Sequence, residues 1–382
     1  MASPKLRFKE FDGGWANLKY KDVLNIKYGK DHKSLSDGEI PVYGTGGIMR
    51  YVDKFLYEGE SILIGRKGTI DQPKYVNEKF WTVDTLFYTE IKENSVPLFL
   101  FQHALQVNWL GLNEATGVPS LNTTSINNVD ISLPSKEEQT KIASFLSAVD
   151  EKISQLTQKH QLLSQYKQGM MQKLFSQQIR FKADDGSEFG EWEEKPLSHY
   201  FSKIRNGFVG VATPFYVDNG IKYLQGKNIK NGKIDDTGLI HISEEFHLKK
   251  KNSKLQPNDI LMVQSGHVGE CVVVTEEYGN ANCHALLVLT PSDSHKVNSQ
   301  FIVYYFYSEF GRKDISLIKT GNTIEHVLAS DIKEVCILFP CVEEQTKIAN
   351  FLSAIDQKIE VVAQQIKQEK QWKKGLLQQM FV

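Results

Sequence analysis

The chain has 382 residues, of which 41% are hydrophobic and 24% charged, a composition typical of packed globular domains. Its formal net charge of −1 argues against indiscriminate coating of DNA, although a local basic face would be compatible with it. No apolar run reaches the roughly 18 residues that span a bilayer, and residues 1–15 lack the apolar core of a secretory signal, so we expect a cytoplasmic protein without membrane contact.

The first third of the chain predicts a strand-rich domain. Short runs such as IPVYGTGG (40–47) and ILIGRKGTI (62–70) combine β-forming residues with glycine breaks, and a helical pattern follows near 97–109. A long helix comes next, and Ser135 and Glu138 predict a capping box at its start. Its apolar residues alternate at spacings of four and three, which predicts pairing with a second helix through Ile142, Leu146, Val149, Ile153, Leu156 and Leu163.

The second half of the chain follows the same plan. Strand-rich runs fill 220–290, and a helical pattern lies near 298–310. A second long helix follows, in which Cys341 replaces the capping serine and predicts a weaker cap. Its pairing positions are predicted to be Ile348, Leu352, Ile355, Ile359, Val362 and Ile366.

The two helices are near-copies. EEQTKIASFLSAVDEKI (137–153) and EEQTKIANFLSAIDQKI (343–359) differ at three positions and lie 206 residues apart, and the starts RFKEFDGGW (7–15) and RFKADDGSEFGEW (180–192) also correspond. We therefore predict an α/β protein with a pseudo-two-fold internal repeat. Two similar α/β domains, 1–134 and 178–340, would be joined by an antiparallel two-helix coiled coil formed by 135–177 and 341–382.

Motifs for catalysis are scarce. The sequence contains no G-x-x-x-x-G-K-[ST] loop for nucleotide phosphates, no Pro-Pro pair of the kind found in amino-methyltransferase loops, and no cysteine spacing suited to zinc. One nuclease-like arrangement exists, because Asp84, Glu90 and Lys92 could hold a metal beside a lysine. A strand with an ordinary charged end explains the same residues, and His284 stands at the place of Asp84 in the second half.

Three pairs of polar loops occupy matching places in the two domains: 42–47 with 224–228, 64–69 with 263–269, and 115–122 with 319–326. Arginine and lysine can donate to guanine, asparagine and glutamine suit adenine, and hydroxyl groups suit phosphate. Any one loop could be a solvated turn, but the recurrence favours DNA binding. The candidate DNA-binding residues are Tyr43, Thr45, Arg66, Lys67, Thr69, Thr116, Ser120, Asn122, Gln225, Lys227, Asn228, Gln264, Ser265, His267, Thr320, Asn322 and Thr323. The basic run HLKKKNSK (247–254) could follow a DNA backbone.

Together, the twin EEQTKIA-[SN]-FLSA helices, the prolines that precede them (Pro134 and Pro340) and the loops IPVYGTGG…ILIGRKGTI and LQPNDILMVQSGHVG carry a resemblance over essentially the whole chain. The chain resembles the DNA specificity subunit of Type I restriction-modification systems. The resemblance implies a non-catalytic subunit in which each target-recognition domain reads one half of a bipartite DNA site and the helices set the gap.

The same resemblance implies the partners. These are double-stranded DNA, two adenine methyltransferase subunits and motor-nuclease restriction subunits, with no membrane. This chain itself is expected to bind no cofactor or metal, because the methyl donor, ATP and magnesium would bind the partner subunits. Two other interpretations stay open at this point: a coiled-coil scaffold with protein-binding domains, which would bind no DNA, and a stand-alone metal-dependent nuclease.

Overall fold

A computed structural model describes residues 4–293, 296–321, 323 and 325–381. The chain divides into two compact units, Met1–Lys159 with Val362–Val382, and His160–Val361. The first unit is thus built from two separate stretches of chain, whereas the second is continuous. Within the described ranges, no helix combines the length and the apolar character that crossing a membrane requires.

The first unit consists of a strand-rich domain and segments of the two long helices. Six strands form a sheet in the order β2-β7-β5-β6-β3-β4, and β1 pairs with β8 beside it. The elements up to the first long helix are β1 (Ala16–Lys19), α1 (Tyr20–Val23), β2 (Leu24–Tyr28), β3 (Asp37–Gly44), β4 (Gly47–Val52), β5 (Tyr57–Gly65), β6 (Lys74–Thr82), β7 (Leu86–Ile91), α2 (Pro97–Ala104), α3 (Thr123–Asn127), β8 (Asp130–Leu133) and α4 (Lys136–Phe175).

The second unit repeats this plan with shorter strands. Its two four-stranded sheets have the orders β10-β19-β16-β17 and β11-β15-β12-β18, and the pairs β13-β14 and β20-β9 complete it. The elements are β9 (Glu193–Pro196), α5 (Leu197–Tyr200), β10 (Phe201–Asn206), β11 (Tyr216–Val217), β12 (Ile221–Leu224), β13 (Ile229–Lys230), β14 (Lys233–Ile234), β15 (Ile240–Ile242), α6 (Glu244–Lys249), β16 (Ile260–Val263), β17 (Cys271–Val273), β18 (Asn282–Cys283), β19 (Leu286–Pro291), α7 (Ser299–Tyr307), α8 (Glu309–Ile318), α9 (Ala329–Glu334), β20 (Cys336–Phe339) and α10 (Val342–Met380).

The predicted mixed helix and sheet architecture with an internal repeat is confirmed. Both domains place one parallel strand pair among antiparallel ones, at corresponding positions: β3 with β6, and β12 with β18. Each domain also closes with a two-stranded sheet that joins its first strand to the strand before the long helix. The repeat in sequence is therefore a repeat in topology.

The start of each long helix belongs to the core of its own domain. Ile142, Leu146 and Val149 of α4 are buried in one cluster with Trp15 and Phe99 of the first unit. In the second unit, Ile348, Leu352 and Ile355 of α10 are buried in a cluster whose members include Trp192 and Phe301. These helix positions therefore stabilise the domain as well as the helix pair.

The end of each long helix completes the other domain's core. Leu376, Leu377 and Met380 lie in the cluster of the first unit, and the Phe381 ring lies 5.0 Å from that of Phe99. Met171, Leu174 and Phe175 take the same places in the second unit, where the Phe175 ring lies 5.4 Å from that of Phe301. Each unit therefore needs three contributions: its strand-rich domain, the start of the helix that follows it, and the end of the other helix.

Within each unit the two helix segments run antiparallel. In the first unit, Lys373 Nζ lies 2.6 and 2.8 Å from the carboxylate of Asp150, and Lys152 pairs with Glu369. In the second unit, Lys167 Nζ lies 2.7 and 2.8 Å from the carboxylate of Asp356. Because Asp150 and Asp356 are equivalent in the repeat, as are Lys167 and Lys373, one ion pair is made twice.

The predicted pairing positions differ in burial along each helix. Those near the helix starts are buried, whereas Ile153 and Ile359 are partly buried against the two cores. Farther along, Val362 is buried, but Leu156, Leu163 and Ile366 are only partly buried. In the first turns of each helix, the heptad positions therefore pack against a domain. Farther along the helix, the heptad positions make weaker apolar contacts.

The second glutamate and the glutamine of each EEQ sequence attach the helix to its domain. Buried Glu138 accepts from Arg7 Nε and Nη2 at 2.7 Å each, so its carboxylate serves Arg7 rather than completing the predicted capping box. The other half of that box is present, because Ser135 Oγ accepts from the backbone N–H of Glu138 at 3.3 Å. Gln139 Oε1 accepts from the backbone N–H of Val96 at 2.8 Å.

The second domain repeats this attachment. Buried Glu344 accepts from Arg180 Nε and Nη2 at 3.1 and 2.7 Å, and from Trp192 Nε1 at 3.0 Å. Gln345 Oε1 accepts from the backbone N–H of Asn298 at 2.9 Å. The identical residues of the two helices are thus explained in part by corresponding attachments, each made to an arginine and a backbone N–H, to domains that otherwise differ.

Candidate nucleic-acid interface

Two of the predicted loops of the first domain are joined directly. The backbone N–H of Gly68 donates to the carbonyl of Pro119 at 2.9 Å, and that of Leu121 donates to the carbonyl of Arg66 at 2.9 Å. Gly68 has a φ of +97°, in the region that favours glycine. The third loop adjoins them, because a Cβ on Gly68 would lie 3.7 Å from Thr45 Oγ1. All three loops of the first domain therefore form one polar surface.

Arg66 is held in a defined orientation on this surface. Its Nη1 donates to the carbonyl of Asp84 at 3.0 Å, and its guanidinium lies 5.5 Å from the ring centre of Tyr28. Side-chain donors remain for a ligand, and a guanidinium fixed in this way loses little entropy when it forks onto guanine O6 and N7. Tyr28 and Asp84 were not predicted to have this role, because neither lies near Arg66 in the sequence.

The other predicted residues of the first domain differ in what they present. Lys67 and Thr116 are exposed, and Thr45, Thr69 and Ser120 are partly exposed. Tyr43 donates its hydroxyl to Glu78, and burial is the main cause that raises its pKa. Asn122 caps α3, because its Oδ1 accepts from the backbone N–H of Ser125 at 2.7 Å, and its Nδ2 donates to Glu114. Tyr43 and Asn122 are therefore occupied within the domain.

The matching loops of the second domain also meet. The backbone N–H of Val327 donates to the carbonyl of Gln264 at 2.9 Å, and Ser265 forms a β-bridge with His326. A Cβ on Gly226 would lie 3.4 Å from the side chain of Val263, which places the 224–228 loop beside this pair. The second domain thus builds a polar surface from the same three places in its sequence as the first.

This second surface presents different groups. Lys227, Ser265, His267, Thr320 and Thr323 are exposed. Gln225 and Gln264 are partly exposed, and Gln225 Nε2 donates to the hydroxyl of Tyr216 at 3.2 Å. Asn228 is 1% exposed and its Nδ2 donates to the carbonyl of Asp235, so its side chain holds the loop together. Asn322 lies outside the described residues.

Two histidines that were not predicted to bind DNA support this surface. His326 Nε2 lies 3.1 Å from Thr320 Oγ1, and His284 Nδ1 lies 3.0 Å from the hydroxyl of Tyr223. Burial lowers the pKa of His284, which favours its neutral form. Their support arises from pairing across strands and loops, which no local sequence pattern marks.

The nuclease-like residues do not form a metal site. Glu90 pairs with Lys27 at 3.3 Å, and Lys92 Nζ donates to the carbonyl of Lys21. Asp84 lies in the turn before β7, whereas Glu90 lies near the far end of that strand, so about 13 Å of extended strand, from Leu86 to Glu90, separates them. Among the described residues, no group of three or more histidine, cysteine, aspartate or glutamate side chains is arranged to hold a metal ion.

Comparison with known proteins gives one consistent result. A family model described as the Type I restriction modification DNA specificity domain matches residues 12–165 and 190–370. The MjaVIII specificity subunit of Methanocaldococcus jannaschii, a type I restriction enzyme subunit, is 27% identical over 273 residues, covering 69% of this chain and 64% of the relative. The chain thus spans just under two thirds of that relative's length.

Two further similarities cover more of the chain. The specificity subunit of the type I restriction enzyme EcoBI of Escherichia coli is 22% identical over 370 residues, covering 87% of this chain and 77% of the relative. The crystal structure of the S subunit of a Type-I restriction-modification system from M. genitalium superposes with a TM-score of 0.68 at 16% identity, covering 100% of this chain and 99% of that one. At this identity the superposition supports the fold alone.

Proposed function

The chain belongs to the Type I restriction modification DNA specificity family, and from this membership we propose that it selects the DNA sequence on which a type I restriction-modification complex acts. Each strand-rich domain reads one half of a bipartite site in double-stranded DNA. The observation that carries the proposal is the pair of polar surfaces, each built from three loops at matching places but presenting different side chains. Two different sets of donors and acceptors suit two different base sequences.

The two long helices serve as the spacer between the half-sites. Their sequences are nearly identical, and each carries the aspartate and the lysine of the repeated ion pair. A spacer must be rigid but needs no base preference, so a repeated sequence fits this role, whereas recognition domains must diverge. B-DNA repeats about every 34–36 Å, which makes a fixed distance between two recognition units meaningful.

We propose that the helices also bind two adenine methyltransferase subunits. Trp372 is 48% exposed and packs edge-to-face on Phe145 in the first unit. At the equivalent repeat position, Tyr166 is 52% exposed. Exposed aromatic residues are enriched at protein interfaces, and one at the same place in both repeats suits one kind of partner bound twice. Motor-nuclease restriction subunits join this assembly.

The proposed role is not catalytic. The sequence motifs for binding ATP phosphates and for amino-methyl transfer are missing, so the methyl donor, ATP and magnesium are assigned to the partner subunits. Methylation of adenine in a duplex requires the base to leave the stack, a step that also belongs to the methyltransferase. We propose that the chain acts in the cytoplasm.

The experiment is methylation-sensitive sequencing of DNA from cells that express this chain with its methyltransferase subunits. A bipartite methylated motif is expected. Arg66→Ala should relax one position in one half-site, with a loss of about 1–3 kcal/mol of discrimination, and His267→Ala should affect the other half-site. Arg66→Lys is the matched control, because it keeps the charge but loses the fork. A uniform loss across all sequences would instead identify Arg66 as a phosphate contact.

The rival functions give different results. A protein-binding scaffold would show no DNA affinity with or without methyltransferase subunits. A stand-alone nuclease would cleave DNA in a metal-dependent reaction with the purified chain alone, and Glu90→Gln would abolish that cleavage. We expect neither cleavage nor methylation by the chain alone, and no effect of Glu90→Gln on methylation by the complex.

A further inference from the structure

The loop between β10 and β11 of the second domain exposes apolar side chains. Val209 and Val211 are 65% and 74% exposed. The base of this loop is fixed, because the backbone N–H of Gly207 donates to the carbonyl of Leu286 at 2.7 Å and that of Phe208 donates to the carbonyl of Cys283 at 2.9 Å. Two valines are therefore held in solvent at the tip of an anchored loop.

Lysines line the groove beside this loop. The groove has a volume of about 420 Å³ and runs between residues 206–209 and the basic segment 249–253. Lys250 Nζ lies 4.8 Å from the ring centre of Phe208. Lys249 pairs with Glu245 in an exposed ion pair, and Lys251 is exposed. The positive charge of this groove complements a phosphate backbone.

This loop is continuous with the second recognition surface. Phe208 forms a β-bridge with His284, and the backbone N–H of His284 donates to the carbonyl of Leu224 at 2.8 Å. Leu224 precedes Gln225 and Lys227 of the predicted 224–228 loop. A duplex bound at that loop would therefore have the valines and the lysine groove beside it.

In the first domain the corresponding loop carries one apolar side chain, Leu35, which is partly buried. This loop follows β2 and reads GKDHKSLS (29–36). Gly29 and Gly207 are equivalent, because each directly follows the edge strand of its sheet. A Cβ on either glycine would collide with a neighbouring carbonyl oxygen, at 2.0 Å for Gly29 and 2.9 Å for Gly207. The same glycine-started loop is thus polar in one domain and apolar at its tip in the other. A structural role alone would not require exposed valines.

We propose that Val209 and Val211 contact the methyl groups of thymine in the half-site read by the second domain, while the lysines of the groove bind the adjacent phosphates. The thymine 5-methyl is the apolar group that bases present in the major groove, so apolar side chains beside polar recognition loops have one matching chemical partner in a duplex. This inference rests on the proposed function, because it assumes that the second domain reads DNA.

The test uses the full chain in complex with its methyltransferase subunits and duplexes that carry its methylated motif. Each thymine of the two half-sites is replaced in turn by deoxyuridine, which keeps the base pair but lacks the methyl group. The wild-type complex should bind about fourfold more weakly for each contacted methyl group that is lost. This effect should occur at one or two positions of a single half-site.

Val209→Ala and Val211→Ala should each bind the thymine duplex more weakly, and each should reduce the deoxyuridine effect at the position that its valine contacts. Leu338→Ala is the matched control, because Leu338 is 39% exposed on β20, outside the loop and outside the long helices; it should retain the full deoxyuridine effect. Lys251→Ala should weaken binding equally for all duplexes and reduce the salt dependence, as expected for a phosphate contact.

Four results would overturn the proposal while leaving the proposed function intact, and the first three concern the duplexes and the deoxyuridine effect. In the first, the complex binds its sequence specifically but is insensitive to every deoxyuridine substitution. In the second, the deoxyuridine effect persists unchanged in both valine variants. In the third, the second half-site contains no thymine on either strand. A complex with no sequence-specific DNA binding at all would overturn both. If the valine variants lose affinity equally for all sequences, the loop contacts DNA without reading methyl groups, and the proposal is wrong.

Discussion

Removing Arg7 should destabilise the first unit more than removing Arg180 destabilises the second. Both arginines bind a buried glutamate with two hydrogen bonds, but the glutamates differ in what remains after the arginine is lost. Glu344 still accepts from the indole N–H of Trp192, whereas Glu138 loses both of its side-chain donors. The two sites therefore form a natural comparison within one chain.

The magnitudes follow from burial. Glu138 and Glu344 have side chains that are 1% and 0% exposed, so the arginine-free carboxylate stays out of water. Removing one partner of a buried ion pair typically costs about 3–5 kcal/mol. A hydrogen bond to a charged group contributes about 1.5–3 kcal/mol. We expect Arg7→Ala to cost about 4 kcal/mol and Arg180→Ala about 2 kcal/mol of unfolding free energy.

Hydrogen exchange followed by mass spectrometry measures the two units separately. Peptides covering the start of each long helix report the local unfolding free energy. A loss of about 4 kcal/mol corresponds to roughly a thousandfold faster exchange near residues 138–149. Lys182→Ala is the control, because its exposed pair with Glu188 should contribute less than about 1 kcal/mol.

Two double variants refine the comparison. Arg180→Ala combined with Trp192→Phe should approach the cost of Arg7→Ala, because the carboxylate of Glu344 then loses the side-chain donors of both Arg180 and Trp192. Arg7→Leu with Glu138→Leu should recover much of the lost stability, since well-packed apolar residues often replace buried ion pairs without net cost. Equal losses for Arg7→Ala and Lys182→Ala, or a larger loss for Arg180→Ala than for Arg7→Ala, would refute this reasoning.

Three further predictions concern the first unit, the partner surface and the spacer. Burial lowers the pKa of His103 from 6.5 to about 4. Because the unfolded chain binds this proton more readily, the first unit should lose up to about 3 kcal/mol of stability as the pH falls from about 6.5 to about 4. His103→Phe should remove this dependence in denaturation experiments across that range. Trp372→Ala and Tyr166→Ala should each weaken methyltransferase binding in calorimetry while the chain stays folded, and loss of folding instead would contradict an interface role. Inserting four residues after Gln158 adds about 6 Å of helix, so the methylated motif should keep both half-sites but gain one or two base pairs of gap; altered half-site bases with an unchanged gap would show that the helices are not the spacer.

The repeat made the architecture predictable. A 17-residue near-copy at two places, each with the same heptad spacing, leaves few arrangements other than two equivalent domains with equivalent helices. The sequence did not reveal that Ile142 and Leu146 pack into a domain core, because apolar spacing is the same whether a helix packs on a helix or on a sheet. At the end of α4 the buried methionine is Met171, next to the heptad position at Met170.

The recognition surfaces were harder to predict at the level of residues. The recurrence of the three loops predicted that they lie together. The roles of single residues such as Asn122 and Asn228 could not be predicted, because an asparagine that caps a turn and one that faces a base have the same local sequence. The ion pair of Arg7 with Glu138 joins residues 131 positions apart. Only the recurrence of both residues as Arg180 and Glu344 could have indicated it.

The division of the chain also has a consequence for its synthesis. The second unit is one continuous segment, so it can fold as soon as residue 361 has left the ribosome. The first unit must wait for Leu376, Leu377 and Met380 to complete its core, although its domain ends near residue 134. At about 5–20 residues per second, synthesis of the roughly 240 intervening residues takes about 12–50 s. During that interval the core of the first domain is incomplete, and the apolar side chains that these residues cover remain exposed. The first domain is therefore the part of the nascent chain that most needs protection from aggregation.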